Sequence, residues 1–232
     1  MRRRQMKRGT KTIMLAAALA GVLIVGGVSA YFTDADTATN TFTVGKISLD
    51  LQEPSWNPDQ VKDLTPNQVV QKDPQIKNDG INDEFVFLEV TVPYKNVVTV
   101  NDAGVKQTAA DTELVKYTVN AGWTELGSGE KDTVAETVLH RYVYGTDQAC
   151  TALAKDQVTP ALFDSITVAN VVEDQTLEQT TQNIQVEAFG IQANDIGADD
   201  KTAPSDVWKV LVNQGPSKDK TGEDTKTDIV GG

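Results

Sequence analysis

The side chains of this sequence that could carry out nucleophilic or metal chemistry are few. It has one histidine, His140, and one cysteine, Cys150. A zinc peptidase typically presents His-Glu-x-x-His on a helix, so a single histidine excludes a zinc site with two histidines in one chain. A Ser/His/Asp triad or a Cys150/His140 pair stays open in principle. Because no Gly-x-Ser-x-Gly is present and His140 lies in an alternating stretch, we expect a strand histidine and a partly buried apolar cysteine.

Acidic side chains are the second source of possible chemistry. Close pairs occur at Asp34/Asp36, Asp83/Glu84 and Asp199/Asp200. A glycosidase needs two carboxyl groups that face each other across a cleft. With 33 Asp and Glu in the chain, such pairs arise by chance and are usually solvated.

One short stretch, residues 78–84, is dense in oxygen donors. Its sequence, NDGINDE, could bind Ca²⁺ weakly, but its spacing departs from that of an EF-hand loop. An ordinary turn is therefore expected there. We predict no catalytic residue, no cofactor and no metal ligand.

The three tryptophans are widely separated, at Trp56, Trp123 and Trp208. Stacking on a carbohydrate is one interpretation of such residues. Trp123 fits core packing more simply. Trp56, between Pro54 and Pro58, is the one that we would test for a role on the surface.

The elements that position these residues are predicted to be strands. Phe85 to Leu88 is apolar without a break, and the stretch then alternates to Val92, as in a central strand whose far end reaches solvent. Pro93 is expected to end its ladder or to lie at an edge. No stretch has the long crossover helices of parallel sheets, so we predict an all-β antiparallel sandwich or jelly roll with a few short helices. Further predicted strands are 97–100, 114–120, 137–144, 165–172 and 184–193, and the predicted helices are 148–156 and 204–211.

The beginning of the chain has the order of a secretory signal peptide. Six basic residues precede an apolar run, Ile13 to Val25, and two glycines and the small residues Val28-Ser29-Ala30 follow. The run is shorter than the ~20 residues of a stable membrane span. We therefore predict a signal-peptide helix in residues 1–30, cleavage by signal peptidase between Ala30 and Tyr31, and no stable membrane anchor after processing.

The remaining chain is strongly acidic. Without the six basic residues of the leader, 15 of the 21 Lys and Arg face 33 Asp and Glu, a net charge of −18. Such a charge excludes nucleic acid as a partner. Residues 31–215 are predicted to form one sandwich domain, and the polar segment 216–232 a flexible tail.

Several blocks resemble the TasA/camelysin family of Gram-positive bacteria, whose members carry a SipW-type signal peptide. The most specific are Gly26 to Asp34 and Ala38 to Gly45, and Phe85 to Val92 and Val186 to Ala193 are similar to later blocks. The resemblance extends from residue 14 to about residue 210. It implies a jelly roll and, in the best understood members, a biofilm-matrix protein that assembles into fibres.

The resemblance also implies a donor strand at the processed N-terminus. It would lie within residues 31–51, and in a fibre it would insert into the next subunit. An edge strand offers unpaired N–H and C=O groups that such a segment can satisfy. The alternative is a disordered terminus, or a strand of the chain's own domain. The residues assigned to donation are Tyr31, Phe32, Thr33, Asp34 and Phe42.

Three functions follow in order. The first is a secreted structural protein of the biofilm matrix or cell surface, which pairs with itself or with a homologous matrix protein. The second is a secreted monomeric binding or accessory module, such as an adhesin or a fibre-assembly factor. The third is a camelysin-like peptidase, which rests on the family label alone.

Overall fold

The structure is a computed structural model that describes residues 47–61, 64–172, 177, 181–196, 201–214 and 227–230. The chain divides into two units, Met1–Val44 and Gly45–Gly232. All of the described residues belong to the second unit. The predicted signal-peptide helix lies outside them.

The described chain is built mainly from antiparallel strands. A 3-10 helix spans Pro58–Val61, and one α-helix, α1, spans Pro204–Gln214. No helix among the described residues is long and apolar enough to cross a bilayer. Strands β1 to β12 are Leu49–Gln52, Val69–Gln71, Gln75–Asn78, Glu84–Val97, Ala110–Glu113, Val115–Lys116, Trp123–Glu125, Glu130–Asp132, Thr137–Tyr144, Ser165–Val168, Thr181–Gln192 and Thr227–Val230.

The strands form one large sheet and two small ones. The large sheet has the order β12-β11-β4-β9-β7, with β5 paired to the far end of β4 and β8 paired to β9. The small sheets are β1-β3 and β2-β10-β6. All the pairings between these strands are antiparallel.

The core explains why Phe85 to Leu88 is apolar on both faces. Val86 and Leu88 point into the main core, where they join buried residues of the small sheets such as Ile76 and Ile166. Phe85 and Phe87 point to the opposite face and belong to a second cluster. That cluster also holds Phe189 and Ile191 of β11, and Val207 and Leu211 of α1. The predicted class, an antiparallel β-sandwich with a few short helices, is confirmed.

Pro93 is the last residue of β4 that pairs with β9, so it ends that ladder as predicted, although the strand itself does not end there. The strand continues to Val97, with Pro93 opposite Thr137 at the start of β9. Beyond this point β4 pairs with β5 instead, and the Pro93 carbonyl accepts a hydrogen bond from the Leu114 N–H at 2.9 Å. The missing N–H of proline therefore falls where the partner strand changes, and the ladder loses little.

The prediction of a helix at 148–156 is wrong. Its backbone groups bond across the structure rather than along the segment: the Cys150 N–H donates to Thr202 O at 2.8 Å, and the Leu153 N–H donates to Glu84 O at 2.8 Å. The second predicted helix is confirmed and runs to Gln214. Strand 137–144 is confirmed with its predicted bounds, whereas strands 114–120 and 165–172 are shorter than predicted.

Part of the predicted tail is a strand. Thr227–Val230 pairs with β11 from Thr181 to Ile184. The β-branched residues Ile229 and Val230 favour an extended backbone. This strand lies within the segment 216–232, whose flexibility remains a prediction.

A buried ion pair joins the segment after β1 to the end of β2. Lys72 Nζ lies 2.6 Å from Glu53 Oε1, and the two side chains are 0% and 5% exposed. The same ammonium lies 4.9 Å from the centre of the Trp56 ring. Burial lowers the pKa of Lys72, against the charges of Glu53 and Asp73. The lysine that follows β2 is thus fixed inside the protein.

Removal of the lysine should be costly, because it leaves a buried carboxylate without its ammonium. We expect Lys72→Met to lower the free energy of unfolding by about 3–5 kcal/mol. Lys72→Met with Glu53→Leu should recover most of that loss. Urea denaturation measures both effects.

The matched control is Lys77→Met. Lys77 pairs with Asp79 at the same 2.6 Å, but the two side chains are 34% and 40% exposed. Because solvent screens this exposed pair, its loss should lower the free energy of unfolding far less than the loss of Lys72. Equal losses at the two lysines would contradict the role given to burial.

Candidate functional site

The residues predicted for processing and strand donation lie outside the described residues. They are Ala30, Tyr31, Phe32, Thr33, Asp34 and Phe42. The acidic pairs Asp34/Asp36 and Asp199/Asp200 also lie outside them. Cleavage and strand donation therefore remain predictions.

His140 lies in β9 and is held from both sides by carboxylates. Its Nδ1 is 2.7 Å from Glu125 Oε1 of β7, and its Nε2 is 3.1 Å from Glu113 Oε2 of β5. The Tyr117 and Tyr142 hydroxyls lie close by and are hydrogen bonded to each other at 3.0 Å. The expected strand histidine is thus present, and it links three strands of the large sheet.

The two carboxylates determine the charge of this imidazole. The hydrogen bond to Glu113, with Glu125 adding to it and burial opposing it, raises the pKa of His140 to about 9. The ring is therefore an imidazolium at neutral pH. In that form it cannot act as a general base or activate a nucleophile, and both ring nitrogens are already bonded to glutamates.

The same geometry tests whether the residues fit a zinc site. Both ring nitrogens of His140 are hydrogen bonded to carboxylates on opposite sides of the ring, so the two glutamates do not converge on one point beside it. Cys150 belongs to the cluster under α1, and burial raises the pKa of its thiol to about 12. In the part of the chain that the structure describes, no three His, Cys, Asp or Glu side chains are grouped to hold a metal ion. The described residues do not fit a zinc site.

The acidic stretch 78–84 forms a turn around the side chain of Asn78. Asn78 Nδ2 donates to Asn82 O at 2.8 Å and to Leu153 O at 2.9 Å, and its Oδ1 accepts from the Gly80 N–H at 2.8 Å. An amide thus already binds two of the carbonyl oxygens that a cation would use. An ordinary turn is the predicted structure here, and weak calcium binding stays the untested alternative. Of the pair Asp83/Glu84, Asp83 is exposed and Glu84 is buried.

The tryptophans pack against protein groups. The Trp123 Nε1–H donates to Pro160 O at 2.8 Å, and the ring is buried, as expected. Trp56 is only partly buried and lies against Lys72 and the main core. Trp208 of α1 meets Phe87 and Phe189 edge-on, with ring centroids 5.2 and 5.5 Å away. The three rings form no common platform.

Strand edges are the feature of the described residues that could bind another chain. Among them, β1 pairs only with β3, β2 only with β10, and β7 only with β9. An edge strand presents backbone N–H and C=O groups that an added strand can satisfy. These edges are the candidate interface, and β1 is the first described strand after the predicted donor segment.

Several residues that matter were not found from the sequence. Glu53, Lys72 and Glu84 have buried ionisable side chains. The polar residues next to them in the sequence give no sign of that burial. Arg141 is a further case: it lies 2.7 Å from Glu89 and 4.2 Å from the Trp208 ring, so it fixes α1 to the sheet. The role of Arg141 can be predicted only when the register of β4 and β9 is known, because Glu89 and Arg141 are cross-strand partners.

The His140 cluster predicts a pH dependence of stability. Because its pKa is raised in the folded state, the stabilisation is complete below pH 6.5 and is lost as pH rises through about 9. The imidazole is only 14% exposed, so we expect a loss of about 2–3 kcal/mol between these limits. Urea unfolding of the wild type at the two pH values measures it.

His140→Gln is the comparison that isolates this histidine from other groups that titrate in alkali. The variant should lose less stability than the wild type over the same pH interval. Glu113→Gln should give an intermediate slope. Parallel profiles for wild type and His140→Gln would show that the imidazolium does not stabilise the fold.

Comparisons with known proteins give a family and distant fold likenesses. Two solved structures are similar. One is the second type II cohesin module of the cellulosomal adaptor ScaA scaffoldin of Acetivibrio cellulolyticus, at 10% identity and TM-score 0.28, covering 66% of this chain and 91% of that one. The other is a type II cohesin domain from the cellulosome of the same organism, at 12% identity and TM-score 0.27, covering 63% and 84%. No curated protein matches the sequence.

The family match covers most of the chain. Residues 5–202 match the camelysin metallo-endopeptidase family. This range contains the large sheet's central strands and the small sheets, and it agrees with the resemblance found in the sequence. The chain therefore belongs to the camelysin family.

Proposed function

We propose that this chain is a secreted structural protein of the biofilm matrix or cell surface that assembles into fibres by donating its N-terminal strand. The observation that carries the proposal is the one-sided pairing of β1, the strand that follows the predicted donor segment. Family membership and the sandwich fold support it. The partner would be a second copy or a homologous matrix protein outside the cell.

The physics of such an assembly is simple. A strand from one subunit that adds to an edge of the next makes a head-to-tail contact that does not close on itself, and such contacts build filaments. Backbone hydrogen bonds supply the contact, and alternate side chains supply its specificity. The net charge of −18 for the processed chain opposes subunit approach, so added salt should speed assembly.

A non-enzymatic role is part of the proposal. The family name points to a metallo-endopeptidase, but the described residues do not fit a zinc site, and His140 is held as an imidazolium. Casein hydrolysis by purified protein that a chelator abolishes would support the peptidase hypothesis instead.

A monomeric binding or accessory module is the second candidate, and one observation favours it. The open edges are short: β1 has four residues, and β2 and β7 have three each. Short edge strands are a common way in which proteins limit association. The two candidate functions therefore differ in one requirement: fibre assembly needs an edge long enough to hold a donor strand.

Truncation tests the proposal directly. We expect protein that begins at Tyr31 to form filaments in electron micrographs, and protein that begins at Thr43 to stay monomeric in size-exclusion chromatography. The reason is that the shorter form lacks the strand to be donated. If both forms stay monomeric across pH and salt, strand donation is wrong and the binding module is favoured.

A point variant keeps the length of the segment constant. Thr37→Pro removes one backbone N–H from the donor segment and restricts its extended conformations. Thr37→Ser keeps the N–H and the freedom to extend. We expect Thr37→Pro to slow assembly at least tenfold and Thr37→Ser to leave it unchanged. Equal rates for the two variants would count against a strand as the joining element.

A further inference from the structure

Glu84 is a buried carboxyl group at the point where β1 meets the centre of the sandwich. It is the first residue of β4, and none of it is exposed to solvent. Its Oε1 accepts a hydrogen bond from the Ser48 N–H at 3.2 Å. Its Oε2 is buried and has no hydrogen-bond partner. One of the two oxygens is therefore satisfied and the other is not.

The backbone around Glu84 fixes the carboxyl group in place. The Glu84 N–H donates to Leu153 O at 3.0 Å, and Glu84 lies opposite Gln192 of β11. Gly190, two residues away on β11, leaves the space: a Cβ there would lie 3.3 Å from Glu84 Oε2 and 2.7 Å from Leu49 Cδ1. Leu49 of β1 and the unpaired oxygen of Glu84 therefore both lie against Gly190.

No described cation neutralises this carboxyl group. The elements around it carry Asp50 on β1, Asp79 and Asp83 in the turn before β4, Lys155 and Asp156 after Leu153, and Glu187 on β11. Lys77 of β3 pairs with Asp79, and Lys155 pairs with Asp156, both at 2.6 Å. Burial raises the pKa of Glu84 to about 7, with the Ser48 N–H opposing.

We propose that Glu84 is a proton-controlled latch for β1: the neutral carboxyl keeps Ser48 and Leu49 seated over Gly190, and ionisation opens this niche to water. The ionised form gains by hydration of Oε2, since a buried carboxylate with one donor is costly. Leu49 of β1 packs against Gly190 beside Oε2. Among the strands that the structure describes, β1 pairs with β3 alone. β1 is therefore the element that gives way.

The direction of the effect follows from proton linkage. A carboxyl whose pKa is raised on folding binds more protons in the closed state than in the open one. Closure of β1 is then strongest below about pH 4.5 and weakens as pH rises through about 7. Within the proposed function, ionisation would add the first residues of β1 to the segment that can leave the domain. Only this consequence rests on strand donation.

The latch can be tested by hydrogen exchange on the monomeric whole chain. Mass spectrometry of peptides that cover residues 48–52 measures the exchange. After correction for intrinsic rates, we expect the opening constant of this segment to rise up to about tenfold from pH 6 to pH 8. Glu84→Gln, which is neutral at every pH, should keep the low value at both. Asp83→Asn, a charge removal at the exposed neighbouring residue, should behave like the wild type.

The outcomes separate this inference from the proposed function. Exchange of residues 48–52 that does not change between pH 6 and pH 8 in the wild type would overturn the latch, whether or not Glu84→Gln folds. The same holds if Asp83→Asn removes the pH dependence. Absence of filaments with a clear Glu84-dependent opening would contradict strand donation and leave the latch standing.

Discussion

The structure depends on the burial of β4 on both faces. A strand in this position must satisfy its backbone groups along both edges and cover its side chains on both sides. Strands β9 and β11 supply the hydrogen bonds, the small sheets cover Val86 and Leu88, and α1 covers Phe85 and Phe87. Each element of the domain can be understood as one part of this enclosure. The α-helix is needed because the large sheet would otherwise expose an apolar face.

Charged side chains hold the covering elements at the margins of this core. Arg141 reaches from β9 to Trp208 of α1 while it pairs with Glu89, and Lys72 ties the segment after β1 to the end of β2. The imidazolium of His140 does the same for β5 and β7. His140, one of the two residues that first suggested catalysis, is therefore engaged in ionic links between strands. Its chemistry serves the attachment of layers, and the strand edges remain the surfaces open to a partner.

Local pattern predicted the class of fold and several elements well. The unbroken apolar run at Phe85 to Leu88 indicated a strand buried on both faces, and alternation at 137–144 gave β9 with correct bounds. The helix predicted at 148–156 is absent because the hydrogen bonds of this segment go to Glu84 and Thr202, which are far away in sequence. Pro93 ends the ladder with β9 as predicted, but the sequence did not indicate that the strand continues beside β5.

The candidate interface was harder to predict for the same reason. The order of strands in a sheet decides whether a strand has one partner or two. The residues of β1, β2 and β7 do not indicate that order. Burial of Glu84 likewise depends on the missing side chain at Gly190, a hundred residues later in the chain. What local sequence reports is the tendency of a segment to be a strand, and the non-local packing decides what that strand can bind.

The position of Cys150 has a consequence for the redox behaviour of the protein. Its sulfur lies in the cluster beneath α1, and burial raises the pKa of the thiol to about 12, so almost none of it is thiolate near neutral pH. Disulfide exchange proceeds through the thiolate and needs access to the sulfur. Copies of this chain crowded together in air should therefore not become linked covalently through sulfur. Contacts between copies therefore do not depend on a bond through this sulfur.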